Sequence, residues 1–438
     1  MAKTPYYTKA ETEAKLRSLN LDPNFYGVGV YGVEWTNGIA APEVTRIGDM
    51  AAHQSLPVQS KMRRYLRADD GTINYFLDKD NSNLRDDGTA ATLDGTHGQV
   101  MDLLPVHWGK FSDLLPINRG LISLTPFPGA HIIIPMHVSA YKASLQRTGN
   151  KLASVVNTTA DFRGGNNSAT NDATAATLLG KPASSISRPN FEQYAQNRGS
   201  LWYNMQYSVR RTLWWFITIE FATRNHQTAV NATLTAEGYR QGALGTGPTD
   251  LSGGDWSTFN GYNPLFNCGL TNLLGNNSGE VAVILQDFPT VGLTKAIQVN
   301  SYRGVENFFG DLWDWTSGVN VKNEGGVSRA YVATGTKSSD ANYLGYRSAG
   351  LLPTANGYTT EILMGEDGDI LPKNVSGGSS TTYFADYYYQ NAATDALRGL
   401  IFGGNAADGS SAGSASAHAG SAPSSSAATV GSRLCFLA

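Results

Sequence analysis

The chain has 438 residues, with 33 Lys and Arg set against 36 Asp and Glu, so its formal net charge is −3 at neutral pH. That balance excludes an electrostatic footprint for nucleic acid, and no stretch approaches the ~20 apolar residues that span a bilayer. Only 16% of residues are charged while Gly reaches 48 and Tyr 21, which suits a loop-rich extracellular or virion-type protein better than a cytosolic enzyme with long charged helices.

At the N-terminus, Thr8 and Glu11 fit a capping box, and Glu11 and Lys15 form an i,i+4 pair. A short amphipathic helix is expected within residues 1–20. Because such a helix is too short to stand alone, it is expected to dock on the same chain or on a partner subunit, as an attachment or oligomerisation element. No apolar signal region is visible there, so a soluble product without a Sec signal is expected.

Residues 21–128 read as a small β-rich domain. Phe25 to Trp35 alternates small and large side chains, and Tyr75-Phe76-Leu77 and Gln99-Val100-Met101 fit short strands. Asp69-Asp70-Gly71, Asp86-Asp87-Gly88 and Asp94-Gly95 punctuate the segment as turns.

The character changes from about Gly129. His131–Ile134 and Val138–Tyr141 predict strands, and a polar Asn/Gly/Thr-rich loop follows over 157–176. Ser187 is placed to cap a helix running to about Asn197, with Pro189 in its first turn. Met205 to Thr223 carries Tyr207, Trp214, Trp215, Ile217, Ile219 and Phe221, leaving few solvated positions, so a deeply buried helix is expected. Long Gly/Asn/Thr loops with short strands come next, including Val281–Leu285, followed by a segment from Tyr302 to Trp315 that contains Gly304-Val305-Glu306-Asn307.

The end of the chain is unusual. From Gly403 to Ser432, twenty-four of thirty residues are Gly, Ala or Ser, yet the tract closes in the apolar strand-like Leu434-Cys435-Phe436-Leu437. A disordered Gly/Ser tail has no reason to finish in side chains that need burial. From Gly399 to Ala438 there is no Lys, Glu, Gln, Met or Trp. Ala415, Ala417 and Ala419 recur at every second position, interleaved with Ser416, His418 and Gly420, and a similar alternation resumes over 425–430.

Two helices, a loop-rich insertion, the segment ending Trp313-Asp314-Trp315 and a final strand, in this order, resemble the C-type lectin fold in its microbial and phage form. More specifically, residues 398–437 resemble the variable proteins of diversity-generating retroelements, the class that includes phage tropism determinants. The resemblance implies an α+β chain: a C-terminal C-type lectin-like domain over 129–438, preceded by the short helix and the β-rich domain. It also implies a cassette over about 403–432 that error-prone reverse transcription rewrites at template adenines, giving a residue set that excludes Lys, Glu, Gln, Met and Trp. The ligand-binding positions it implies are Asn405, Ala407, Asp408, Ser411, Ser414, Ser416, His418, Gly420, Ser421, Ser425, Ala427 and Thr429, expected to face solvent on one contiguous surface. Trp313 and Trp315 are expected to pack beneath that surface, and Arg398 and Arg433 to bond loop carbonyls and orient the cassette. Small constant residues and Gly would hold the backbone on a fixed course while the variable side chains project outward.

Rival chemistries fare poorly. The Glu-Pro-Asn, Gln-Pro-Asp and Trp-Asn-Asp motifs that supply calcium ligands in animal C-type lectins are absent, so no metal site is expected. Formylglycine-generating oxidases share the fold and need reactive cysteines. Here Cys435 lies in an apolar strand and Cys268 in a loop; two buried free thiols are favoured over a pair, and pairing stays open. Gly27-Val28-Gly29-Val30-Tyr31-Gly32 matches a dinucleotide fingerprint without a βαβ unit. Gly409-Ser410-Ser411-Ala412-Gly413 matches a nucleophile elbow inside a small-residue tract where chance matches are common. The Asp pairs sit in turns or flank tryptophans.

The sequence thus predicts a non-enzymatic, cofactor-free receptor-binding protein of a phage tail tip, with a bacterial surface protein or glycan as ligand, tail proteins as partners and a possible homotrimeric state. The alternatives are a structural tail or baseplate protein with a lectin-like assembly domain, and a variable ligand-binding protein displayed on a cell.

Overall fold

The computed structural model describes residues 26–114, 116–165, 178–335 and 343–438. The expected helix within 1–20 and most of the polar loop over 157–176 lie outside the described residues.

The described chain is a sheet-rich α+β structure. A five-stranded sheet runs in the order Thr45–Gly48, Tyr31–Thr36, Ile117–Ser123, His107–Leu114, His131–Ile133. A six-stranded antiparallel sheet runs Trp202–Asn204, Leu434–Phe436, Met136–Ser139, Gln99–Leu104, Arg64–Arg67, Ile73–Phe76. An eight-stranded sheet carries the cassette. Its path is Arg347–Leu352, Val327–Val332, Trp313–Glu324, Ala396–Phe402, Ala417–His418, Tyr387–Tyr389, Gly357–Tyr358, and Val430–Gly431 pairs parallel with Trp313–Asp314.

The Asp-Gly turns form as expected, each closed by an aspartate that accepts an amide two residues on: Asp70 from Thr72 at 2.8 Å, Asp87 from Thr89 and Asp94 from Thr96, each at 2.9 Å. The two expected helices are Arg188–Gln196 and Tyr207–Phe221. In the second, every residue but Ser208 and Arg211 is buried. Trp215 stacks on Trp35 at 5.8 Å and meets Phe111 at 4.8 Å, while Tyr207 packs on Phe402 at 6.0 Å. This helix is the pillar between the five-stranded sheet and the cassette sheet.

The boundary expected at 128/129 does not separate two cores. Strand Gln99–Leu104 pairs with Met136–Ser139, which pairs with Leu434–Phe436, so one ladder crosses that point and reaches the end of the chain. Tyr31, Val33, Trp35, Trp214, Trp215, Phe402 and Cys435 share one core. The β-rich segment is half of a common core because its strands have an apolar face that only later residues cover. The final strand is buried as its apolar sequence demands: Phe436 meets Trp202 edge to face at 5.1 Å and lies under the Arg67 guanidinium at 4.0 Å. Cys268 and Cys435 are both buried and unpaired. No helix of the described residues is long and apolar enough to cross a membrane.

Candidate binding surface

The cassette follows an ordered course fixed by main-chain hydrogen bonds to groups outside it. Ala406 N–H donates to Asp311 O at 3.1 Å, and Ala406 O accepts from Leu251 N–H at 2.8 Å. Gly409 N–H donates to Thr249 O and Ala419 N–H to Tyr389 O, both at 2.8 Å, and Gly399 N–H donates to Ser421 O at 3.0 Å. Further along, Pro423 O accepts from Arg188 N–H at 3.1 Å, and Ala427 O and Thr429 O accept from Ser185 and Trp313 amides, both at 2.9 Å. None of these bonds depends on a cassette side chain. The alanines at 406, 412, 415, 417 and 419 are buried, filling narrow space beside the core.

Side-chain exposure divides the twelve candidate positions. Ala407, Ser425 and Ala427 are exposed, and Asn405, Asp408, Ser411, His418, Gly420, Ser421 and Thr429 are half-buried. Ser414 and Ser416 do not face solvent; both are 0% exposed, contrary to the expectation for the whole set. The Ser414 hydroxyl lies 2.5 Å from His226 Nδ1. The Ser416 hydroxyl donates to Ser411 O at 2.6 Å and accepts from Tyr387 N–H at 3.0 Å. The alternation fails there because the chain runs through a turn against Asp386, whose Oδ1 accepts from the Ala415 and Ser416 amides at 3.2 and 3.1 Å. A strand period of two applies only where both faces are free to differ. Ser410, Ser424 and Ser426, outside the candidate set, are exposed.

Two stretches, about 405–411 and 421–429, carry the exposed side chains, and Trp313 joins them from below. Its amide donates to Thr429 O at 2.9 Å, its side chain bonds the Asp408 carboxylate, and its ring meets His418 at 6.1 Å and Tyr389 at 6.0 Å. Trp315 is buried, with the Arg188 guanidinium over its ring at 5.9 Å. Arg398 is half-buried on the strand Ala396–Phe402, opposite Val321.

Arg433 is fully buried and donates to the carbonyls of Ser139 at 3.3 Å, of Asn307 at 2.5 Å and of Glu306. It also belongs to a charge cluster that sequence reasoning missed. The buried Asp314 carboxylate accepts from Lys142 Nζ at 2.9 Å and Arg210 Nη2 at 2.6 Å, with Arg433 Nε at 3.8 Å. Burial pushes Lys142 down to about 8 and Arg210 down to about 10, against the pull of Asp314 toward the charged forms. Arg210 Nη1 donates to Ser414 O at 2.9 Å, tying the cluster to the cassette. These four residues are scattered along the chain, and no local spacing announces them.

Ser414 and His226 resemble a nucleophile with its base, but both are sealed from solvent and burial holds the imidazole down to about 3. The pair therefore anchors the cassette. Among the described residues, no three His, Cys, Asp or Glu side chains stand close enough to hold a metal ion. The Gly409–Ser411 stretch is a single 3₁₀ turn, without the strand-to-helix context of a nucleophile elbow.

Sequence reasoning also passed over Tyr387 and Tyr389. Their signal was present in the run Tyr387-Tyr388-Tyr389, which on a strand sends the outer two rings to one face and the middle one to the other. Tyr388 is buried and its neighbours are half-exposed beside the cassette.

No family profile matches the chain, and no curated protein matches it in sequence. Among solved structures it is similar to the Major Tropism Determinant U1 variant, with 12% identity and a TM-score of 0.23 over 95% of this chain and 84% of that one. The I1 variant gives 13% and 0.22, and the P3c variant 12% and 0.23, with the same coverage. Likeness at this level transfers no residue's role to this chain.

Proposed function

We propose that the chain is a diversified receptor-binding protein, with a C-type lectin-like C-terminal region that presents the cassette to a bacterial surface ligand. The observation that carries this reading is the division of labour within 403–432. The main chain is pinned by amides and carbonyls outside the tract, while the side chains of Ala407, Ser410 and 424–427 are exposed. A surface built this way accepts many side chains at little cost to the fold, and a rigid backbone limits the entropy lost when they bind. The reading places the protein at a phage tail tip, with tail proteins as partners, a homotrimeric assembly and no catalytic step.

The test is cassette exchange. Replacing the exposed and half-buried candidate positions by another variant's residues, with Ser414 and Ser416 kept, is expected to change which bacteria the purified protein binds while shifting the unfolding midpoint little. Unchanged target range after several such exchanges would favour a structural tail or baseplate role. Finding the protein on a producing cell, absent from particles, would favour cell display.

A further inference from the structure

Beside the cassette, three tyrosines from outside it form one row. Tyr358, on the strand Gly357–Tyr358, meets Tyr387 edge to face with ring centroids 4.9 Å apart. Tyr387 and Tyr389 stand 4.6 Å apart on the same face of their strand, and His418 of the cassette extends the row at 5.6 Å from Tyr389. All four residues are half-buried.

A polar rim from the cassette borders the row. The Tyr358 hydroxyl lies 3.4 Å from the Ser411 hydroxyl. Asp408 stands near enough to Tyr389 for its charge to reinforce the effect of burial, which pushes the phenol up to about 12. The half-buried Asp408 carboxylate accepts from Asn405 N–H at 2.7 Å and from the Trp313 side chain, which fix its orientation at the rim.

The shape and chemistry of this patch select a ligand class. Aromatic faces offer apolar, weakly negative surface, and the rim offers hydroxyls and a carboxylate. The cassette positions beside it are mostly Ala, Ser and Gly, with Asp408 at the rim and His418 in the row itself. Protein interfaces gain most of their affinity from large aromatic or Arg anchors seated in pockets, and the cassette side of this patch supplies no such anchor. A pyranose fits better: one ring face presents C–H groups to an aromatic plane, while its equatorial hydroxyls reach donors and acceptors at the edge.

We propose that Tyr358, Tyr387 and Tyr389, extended by His418, form a stacking platform for a pyranose unit of a bacterial surface polysaccharide, with Asp408 and Ser411 bonding its hydroxyls. The proposal rests on the receptor-binding reading and names its ligand class. The tyrosines supply a general affinity for sugar rings, and the rewritten positions around them select among saccharides. Stacking and hydrogen bonding suffice for this contact, so it needs no bridging cation.

The experiment uses the full chain on an array of purified bacterial surface polysaccharides in the presence of EDTA, with calorimetry on any saccharide bound. Binding is expected, with Tyr387→Ala and Tyr389→Ala each weakening it about ten-fold or more and Tyr387→Phe retaining it to within about three-fold. The Phe variant keeps the ring without the hydroxyl, so it separates loss of stacking from loss of fold, and Tyr358→Ala provides a third site. No saccharide bound, binding abolished by EDTA, or indifference to all three Ala variants would each overturn the platform. Cell binding that survives periodate oxidation of surface sugars but not protease treatment would overturn it in favour of a protein receptor, leaving the receptor-binding reading intact. Saccharide binding by a chain that no bacterium recruits, whatever its cassette, would uphold the platform and overturn that reading.

Discussion

The Ser414 hydroxyl lies 2.5 Å from Nδ1 of His226, whose Nε2 in turn lies 2.9 Å from the Thr218 hydroxyl on the buried helix. A position expected to face solvent for diversification is thus joined to the core of the molecule. Ser414→Asn inserts a larger polar side chain into filled space and is expected to cost about 1–3 kcal/mol. Ser425→Asn, on an exposed side chain, should change stability by less than ~0.5 kcal/mol. Denaturant melts of the two variants check the contrast, and equal stabilities would return Ser414 to the display set.

Two cassette glycines are fixed by space as well as by backbone conformation. Gly413 has φ +149°, and a Cβ there would sit 2.0 Å from Asp386 Oδ1; Gly404 has φ +75°, and a Cβ there would sit 2.5 Å from that of Ala412. Gly409 also has positive φ, +53°, but faces open space. Gly413→Ala and Gly404→Ala are expected to destabilise by more than about 2 kcal/mol, and Gly409→Ala by only about 1 kcal/mol from left-handed strain. Thermal unfolding of the three proteins would rank them; a tolerated Gly413→Ala would mean that the 412–416 turn is free to move.

Local signals were legible where they decided structure locally. Ser187 and Pro189 marked the start of Arg188–Gln196, and the aromatic density after Met205 marked the buried helix. Helix Gly253–Asn260 was passed over although Ser252 caps it through the Asp255 amide at 3.0 Å and Gly261 ends it in the left-handed region. Its composition reads as loop because tertiary burial of Trp256, rather than a periodic apolar face, holds it in place. The Asp314 cluster and the sheet running from Gln99 to Phe436 were beyond local reading altogether, since both are made by pairings between distant parts of the chain. Within the cassette, the alternation gave the buried Ala415, Ala417 and Ala419 but not the burial of Ser416, which like that of Ser414 is set from outside the tract, by Asp386 and His226.

Asp386 provides a test by pH. Burial pushes its carboxyl up to about 8, against the pull of the Ala415 and Ser416 amides. Between the unfolded value near 4 and this folded value the native state holds a proton that the unfolded chain releases. The group therefore costs stability progressively as pH rises from about 4 to about 8. Asp386→Asn keeps the acceptor toward both amides and removes the titration. The unfolding midpoint of the variant relative to the parent should climb across this window, by on the order of a few degrees between pH 5 and 8. A constant difference would show that Asp386 is ionised in the folded protein throughout.

Asp314 is the counter-charge on which the interior beneath the cassette depends. Its carboxylate lies within 4 Å of three buried cations, Lys142, Arg210 and Arg433, so Asp314→Asn leaves positive charge facing positive charge without solvent. Breaking a buried pair from one side costs about 3–5 kcal/mol because the remaining charge stays desolvated. Here the effect should also reach the surface, because Arg210 holds the Ser414 carbonyl and would be drawn to reorient. Asp314→Asn is accordingly expected to lower the unfolding midpoint and to speed amide exchange across 412–416. Adding Lys142→Met, which removes one unpaired cation, should recover part of the loss, with a coupling of about 0.5–3 kcal/mol in the double-mutant cycle. Strict additivity of the two substitutions would show that Lys142 and Asp314 do not act as a pair.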